Sequence, residues 1–63
     1  MNNDQKQYLN LLNKKMSNKF NITKEYANDI INKSGFIKLL EEIPEYIDHV
    51  PIDFWINEIY KNK

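Results

Sequence analysis

The chain has 63 residues, of which 41% are hydrophobic and 29% are charged, and its nine lysines balance nine acidic residues. This length fits one small domain and excludes the large clefts in which most enzymes enclose a substrate. A zero net charge and the absence of arginine disfavour nucleic-acid binding, because the positive excess and the bidentate contact that reads guanine are both missing.

The apolar residues recur every three or four positions, and the chain has one glycine and two prolines. This pattern predicts an all-α domain, a bundle of four or five short helices in which residues 1–63 form a single unit. The first helix is expected from about residue 4 to 18, beginning at an Asp4 and Gln7 pair that resembles a capping box. Its predicted inward stripe consists of Tyr8, Leu11, Leu12 and Met16, with Leu9 beside it.

The second helix is predicted from about residue 24 to 33. Thr23 is a favourable N-cap, and Gly35 stands where a left-handed residue ends many helices. Phe36 after the glycine is expected to touch Ile31, the contact that accompanies a Schellman ending. The residues expected to point inward are Tyr26, Ala27, Ile30 and Ile31.

Pro44 interrupts an apolar pattern that keeps helical phase from Phe36 to Val50. Proline removes a helical hydrogen bond and clashes with the preceding turn, so either one kinked helix or two short ones, 36–42 and 44–49, are expected. Pro51 suits the first turn of a last helix at about 52–62.

Residues with catalytic chemistry are few. Without cysteine, and with Ser17 and Ser34 far in sequence from His49, no nucleophilic triad can be argued, so an enzyme is not expected. Glu45 and His49, four residues apart, could hold a metal only weakly, because a single histidine is a poor signature for such a site. No cofactor and no metal are therefore predicted.

The two halves of the chain differ in charge. Residues 1–33 hold six lysines and three acids, whereas residues 34–63 hold three lysines and six acids. Four of the eight aromatic residues lie within fifteen positions of the acidic half, from Tyr46 to Tyr60, and aromatic rings are frequent in protein interfaces. Because Phe54 and Trp55 are adjacent, they cannot both lie deep in one core. The predicted partner-binding residues are Glu41, Glu42, Glu45, Tyr46, Asp48, His49, Asp53, Phe54, Trp55 and Tyr60.

The stretch Thr23 to Ile43 also reads as helix, turn, helix. In a DNA-binding motif the second helix would be polar and basic, but here it is apolar and acidic, which favours a simple antiparallel helix pair. No apolar run approaches the roughly 20 residues of a membrane span, and the start has no targeting pattern. We expect a cytoplasmic protein without membrane contact. The sequence leaves open whether the chain forms a homo-oligomer.

Short elements between Phe20 and Ile59 resemble a small bacterial family of helical proteins. They are Asn21-Ile22-Thr23, Tyr26-Ala27, the run from Gly35 to Leu40, Tyr46 with His49, and Asn57-Glu58-Ile59. Members of that family are often encoded beside a protein with an ADP-ribosyltransferase-like fold, so the resemblance implies an antitoxin or partner role. Pro44 and the short interval after His49 depart from the family pattern.

These observations favour a non-enzymatic protein-interaction module, antitoxin-like or inhibitory, that binds a partner with a basic surface. Two alternatives remain: a phage-encoded inhibitor of a host defence protein, and a nucleic-acid-associated protein that uses the lysine-rich first half.

Overall fold

The computed structural model describes residues 2–63, and within that range the chain forms five helices and no strand. They are α1 (Asn3–Phe20), α2 (Lys24–Ser34), α3 (Phe36–Glu42), α4 (Pro44–His49) and α5 (Ile52–Lys61). The predicted all-α bundle of short helices is confirmed. In the described residues no helix has the length and apolar character that a bilayer crossing demands.

The start of α1 differs from the sequence prediction. The capping box is formed by Asn2 and Gln5 instead of Asp4 and Gln7: the Gln5 amide donates to the Asn2 side chain at 2.8 Å, and the Asn2 amide donates to the Gln5 side chain at 3.3 Å. Either pair has the chemistry of a cap, so sequence alone could not choose between them. The helix continues to Phe20 and ends at Asn21, which is left-handed with φ 54°.

Both ends of α2 lie where the sequence predicted them, within one residue. The Thr23 hydroxyl accepts a hydrogen bond from the Tyr26 amide at 3.1 Å, and Gly35 has φ +83°. At the C-terminal end, the Phe36 amide donates to the Ser34 hydroxyl at 3.1 Å, which itself donates to the Ile31 carbonyl at 2.6 Å. A serine side chain therefore takes part in the ending that was expected to be a Schellman motif.

Pro44 divides the third apolar segment into two helices instead of kinking one. Ile43 has φ −136° and ψ 62°, outside the helical region, and Pro44 occupies the first turn of α4. A residue before proline is disfavoured in the helical region, whereas proline itself suits the first turn of a helix.

One core joins all five helices. It consists of Leu12, Met16, Ala27, Ile30, Ile31, Phe36, Leu40, Ile47, Trp55, Ile56 and Ile59. Two side chains that the helical pattern placed inside, Leu11 and Tyr26, are exposed. The buried stripes of α1 and α2 are therefore narrower than the apolar stripes of the sequence.

Two polar residues of α1, Asn13 and Ser17, are buried. The Asn13 amide group donates to the Lys24 carbonyl at 2.9 Å and to the Asn28 side-chain oxygen at 2.7 Å. These bonds satisfy the buried amide and fasten α1 to the start of α2.

Candidate protein-binding surface

Trp55 is the centre of an aromatic cluster that joins α3, α4 and α5. Its side chain is 8% exposed, and its indole nitrogen donates to the Ile47 carbonyl at 3.4 Å. Three rings meet the indole at steep angles: Phe36 at a centroid distance of 5.5 Å, Tyr46 at 5.9 Å and Phe54 at 5.2 Å. Edge-to-face contacts of this kind are favourable beyond the area that they bury. Trp55 therefore belongs to the core, although the sequence placed it among the partner-binding residues.

Tyr46 and Phe54, here called the ring pair, keep about half of their surface in solvent. Tyr46 is 54% exposed and Phe54 is 47% exposed, although both rings contact Trp55. Of the adjacent residues Phe54 and Trp55, one is exposed and one is buried, as the helical geometry requires. The ring pair is apolar area held in place by the core but not covered by it.

Tyr60 lies apart from the ring pair. Its ring stacks on Phe20 at a centroid distance of 3.8 Å, where the end of α1 meets α5. The Lys63 ammonium lies 4.8 Å from the Tyr60 ring centroid, and the Lys19 ammonium donates to the Asn57 side chain at 2.6 Å. Tyr60 therefore fastens two helices, and the structure does not bring it to the other predicted site residues.

Several carboxylates gather around the first turn of α1. The Gln5 side chain donates to the Leu40 carbonyl at 3.5 Å, so the end of α3 lies against the start of α1. Glu41 and Glu42 follow Leu40 directly in the chain. A neighbouring depression of about 260 Å³ has Asp4, Glu45 and Asp48 in its lining. The acidic end consists of Asp4, Glu41, Glu42, Glu45 and Asp48.

The ring pair and the acidic end meet on α4. This six-residue helix directs Ile47 into the core, Tyr46 against Trp55, and Glu45 with Asp48 into the depression beside α1. The remaining predicted acid, Asp53, is exposed in the first turn of α5, next in sequence to Phe54. Of the predicted residues, Glu41 and Glu42 end α3, Tyr60 lies apart near the end of α5, and the others lie on α4 and the start of α5.

The carboxylates of the acidic end form no salt bridge within residues 2–63. In residues 2–63 the one salt bridge joins Lys33 to Asp29 at 3.0 Å, within α2. No lysine therefore pairs with a carboxylate of the acidic end in the described part of the chain. Unpaired carboxylates on one end of a small protein leave a negative potential that a cationic surface can occupy.

Tyr8 lies beneath this end and is the one described residue with a buried side-chain polar atom lacking a hydrogen-bond partner. Burial, and secondarily the negative charge of Asp48, raise the pKa of the Tyr8 phenol above its ordinary value of 10.0. The phenol is therefore neutral at physiological pH.

His49, the one histidine, is exposed at the end of α4. Across residues 2–63, no group of three or more histidine and acidic side chains has the geometry to hold a metal ion. The chemistry that this end of the molecule offers is recognition by charge and by apolar contact.

A groove that the sequence did not reveal opens beside Trp55, between α3 and α5. It has a volume of about 340 Å³, and its apolar lining is formed by Phe36, Leu39, Trp55 and Ile59. Glu58 contributes the one charged side chain of its lining. The spacing does indicate that these side chains share one face of α5, since Glu58 and Ile59 follow Trp55 by three and four positions.

Comparisons of the chain with protein families, with curated proteins and with solved structures found no match.

Proposed function

We propose that this protein is a non-enzymatic interaction module that binds one protein partner through α4 and the start of α5. The observation that carries the proposal is the ring pair, in which two large rings are held against a buried tryptophan while half of each stays in solvent. Rigid aromatic area lowers the entropic cost of binding, which is one reason why such rings are frequent in interface hot spots.

The partner in this proposal presents a basic surface. Two carboxylates of the acidic end, Glu45 and Asp48, lie on the same short helix as Tyr46, and none of its carboxylates forms a salt bridge in residues 2–63. Opposite charges on two surfaces accelerate their encounter and disfavour wrong partners. Apolar contact at the ring pair then supplies affinity, while the acidic end supplies orientation.

An antitoxin-like or inhibitory role follows from the same surface. An anionic face can occupy the basic site with which an enzyme binds its own anionic substrate. The resemblance to proteins encoded beside ADP-ribosyltransferase-like toxins supports this choice of partner.

Capture of the partner tests the proposal. The purified protein, immobilised and exposed at low salt to lysate of its native host, is expected to retain one protein that mass spectrometry identifies. The double variant Tyr46→Ala with Phe54→Ala should lose that protein. Tyr26→Ala is the matched control, because Tyr26 is 45% exposed but lies on α2, outside the proposed surface. Failure of the wild-type protein to retain any protein would argue against the proposal.

The inhibitory role has its own test. Co-expression with the product of the adjacent gene should restore growth of cells in which that product alone is toxic. The double variant should not restore growth, whereas Tyr26→Ala should. Equal growth with and without the wild-type protein would remove the antitoxin-like role, even if another partner were captured.

A further inference from the structure

We propose that the groove between α3 and α5 is the seat of an amphipathic helix contributed by the partner protein, with a lysine or arginine placed opposite Glu58. This inference rests on the proposed function and deepens it, because it states which kind of segment the partner inserts.

The groove is an unfilled position in the bundle. Helix α5 packs closely against α1 and α2, whereas α3 packs mainly against α2 and α4. The contact between Phe36 and Trp55, at a centroid distance of 5.5 Å, closes the floor between α3 and α5. The rest of the apolar lining consists of Ile59, which is 5% exposed, and of Leu39, which is half-buried and keeps part of its side chain in solvent.

The shape of the seat favours a helix. Its lining follows α5 from Trp55 to Asn62, which corresponds to about 10 Å, or two helical turns. A groove between two helices with an apolar floor is a surface on which a third helix can pack, with anchors at i, i+3 and i+7. The described residues offer no sheet edge to which an extended peptide could add.

Charge complementarity identifies the class of helix. Glu58 is half-buried in the groove lining and has no salt-bridge partner in residues 2–63. A carboxylate at the edge of an apolar seat favours an occupant that places a cation beside its apolar anchors, and it disfavours an acidic one. Trp55 lines the groove and also contacts the ring pair, so one buried side chain adjoins both.

Synthetic helices test this inference without knowledge of the natural partner. The first peptide, with neutral blocked termini and about four helical turns, carries leucines at i, i+3 and i+7 and flanking lysines in an alanine background. The second peptide is the same except that glutamates replace the lysines. Trp55 is the only tryptophan, so its emission reports occupancy of the groove directly. The lysine peptide should shift the emission saturably, and it should bind at least about tenfold more tightly than the glutamate peptide.

Variants of the full chain complete the test. Leu39→Glu should abolish the shift, whereas Leu11→Glu, on an exposed position of α1 outside the groove, should leave it unchanged. Glu58→Gln keeps the shape of the groove and should bring the two peptides to similar affinity. Circular dichroism establishes that each variant is folded.

Three results would overturn the inference: no saturable shift, equal binding of the two peptides, or binding that survives Leu39→Glu in a folded variant. These results are distinct from failure of the proposed function. If the ring pair is needed to capture a partner but the lysine peptide does not bind, the groove is not the seat and the interaction module remains.

Discussion

Trp55 and Tyr46 touch each other but have different roles. Trp55 is buried and donates to the Ile47 carbonyl, so its truncation leaves a cavity and removes one of the two hydrogen bonds that this carbonyl accepts. We expect Trp55→Ala to lower the free energy of unfolding by about 3 to 5 kcal/mol, and Tyr46→Ala by about 1 kcal/mol. Urea denaturation measures both. Equal losses would show that Tyr46 is as much a core residue as Trp55.

The hydroxyl group of Tyr8 is a group whose removal should not lower the stability of the folded chain. Its oxygen is buried without a hydrogen-bond partner, so Tyr8→Phe deletes an unsatisfied group while keeping the ring that stacks on Phe36. Stability should be unchanged or higher by up to about 1 kcal/mol at neutral pH. A clear loss of stability in thermal denaturation would show that the hydroxyl has a partner in solution.

Tyr8 also makes the stability of the folded chain depend on pH. The pKa of Tyr8 is raised in the folded state, so the folded chain holds this proton more tightly than the unfolded chain does. The contribution of the protonated Tyr8 phenol to the free energy of unfolding is fully present below pH 10 and is lost as the pH rises through the folded-state pKa. Wild-type stability should therefore fall more steeply above pH 10 than that of Tyr8→Phe. Parallel curves would contradict the assignment.

Among the helices, the end of α2 depends on one backbone conformation. Gly35 has φ +83°, and a Cβ built there meets nothing within 4 Å, so the cost of a side chain is conformational and not steric crowding by neighbours. Gly35→Ala should lower the free energy of unfolding by about 1 kcal/mol, and Gly35→Asn by less, because asparagine tolerates left-handed backbone. If alanine cost nothing, the turn between α2 and α3 would have to adopt another conformation.

Helix boundaries followed from single residues whose local chemistry leaves little choice. Thr23, Gly35 and Pro44 each act on the adjacent backbone, and the structure places a helix end beside each of them. Which residues of each helix are buried was harder to predict. Leu11 and Tyr26 belong to apolar stripes, but whether a stripe is covered depends on how α5 lies across α1 and α2, which is a property of the tertiary packing.

The candidate surface, too, could be predicted only in its local features and not in its tertiary arrangement. Helical geometry required that Phe54 or Trp55 be exposed, but the rotation of α5 toward Phe36 and Ile47 decided which one. The gathering of Asp4 with Glu45 and Asp48 joins residues forty positions apart, and no local pattern reports such a contact.

At the scale of the whole molecule, the charges are separated in space. The 18-residue α1 corresponds to about 27 Å of helix, comparable with the longest extent of the molecule, 28 Å. The acidic end surrounds its first turn, whereas Lys19 and Lys63 lie beside the Phe20 and Tyr60 rings at its last turn. Carboxylates therefore gather at the first turn of α1, whereas Lys19 and Lys63 lie near its last turn.

This separation predicts how association with the partner depends on salt. The double variant Glu45→Gln with Asp48→Asn should lower the association rate several-fold at low ionic strength and flatten its salt dependence, with little change in dissociation. Surface plasmon resonance with the captured partner measures both rates. An association rate that is unaffected by the variant would show that the acidic end does not steer the encounter.

The most direct test of the interaction surface is the affinity of the captured partner for Tyr46→Ala and for Tyr26→Ala, measured by calorimetry alongside the stability of both variants. Removing the ring on α4 should weaken binding by about 2 kcal/mol, roughly thirtyfold, while removing the ring on α2 should leave the affinity unchanged. Equal affinities for two variants of comparable stability would contradict a binding surface on α4.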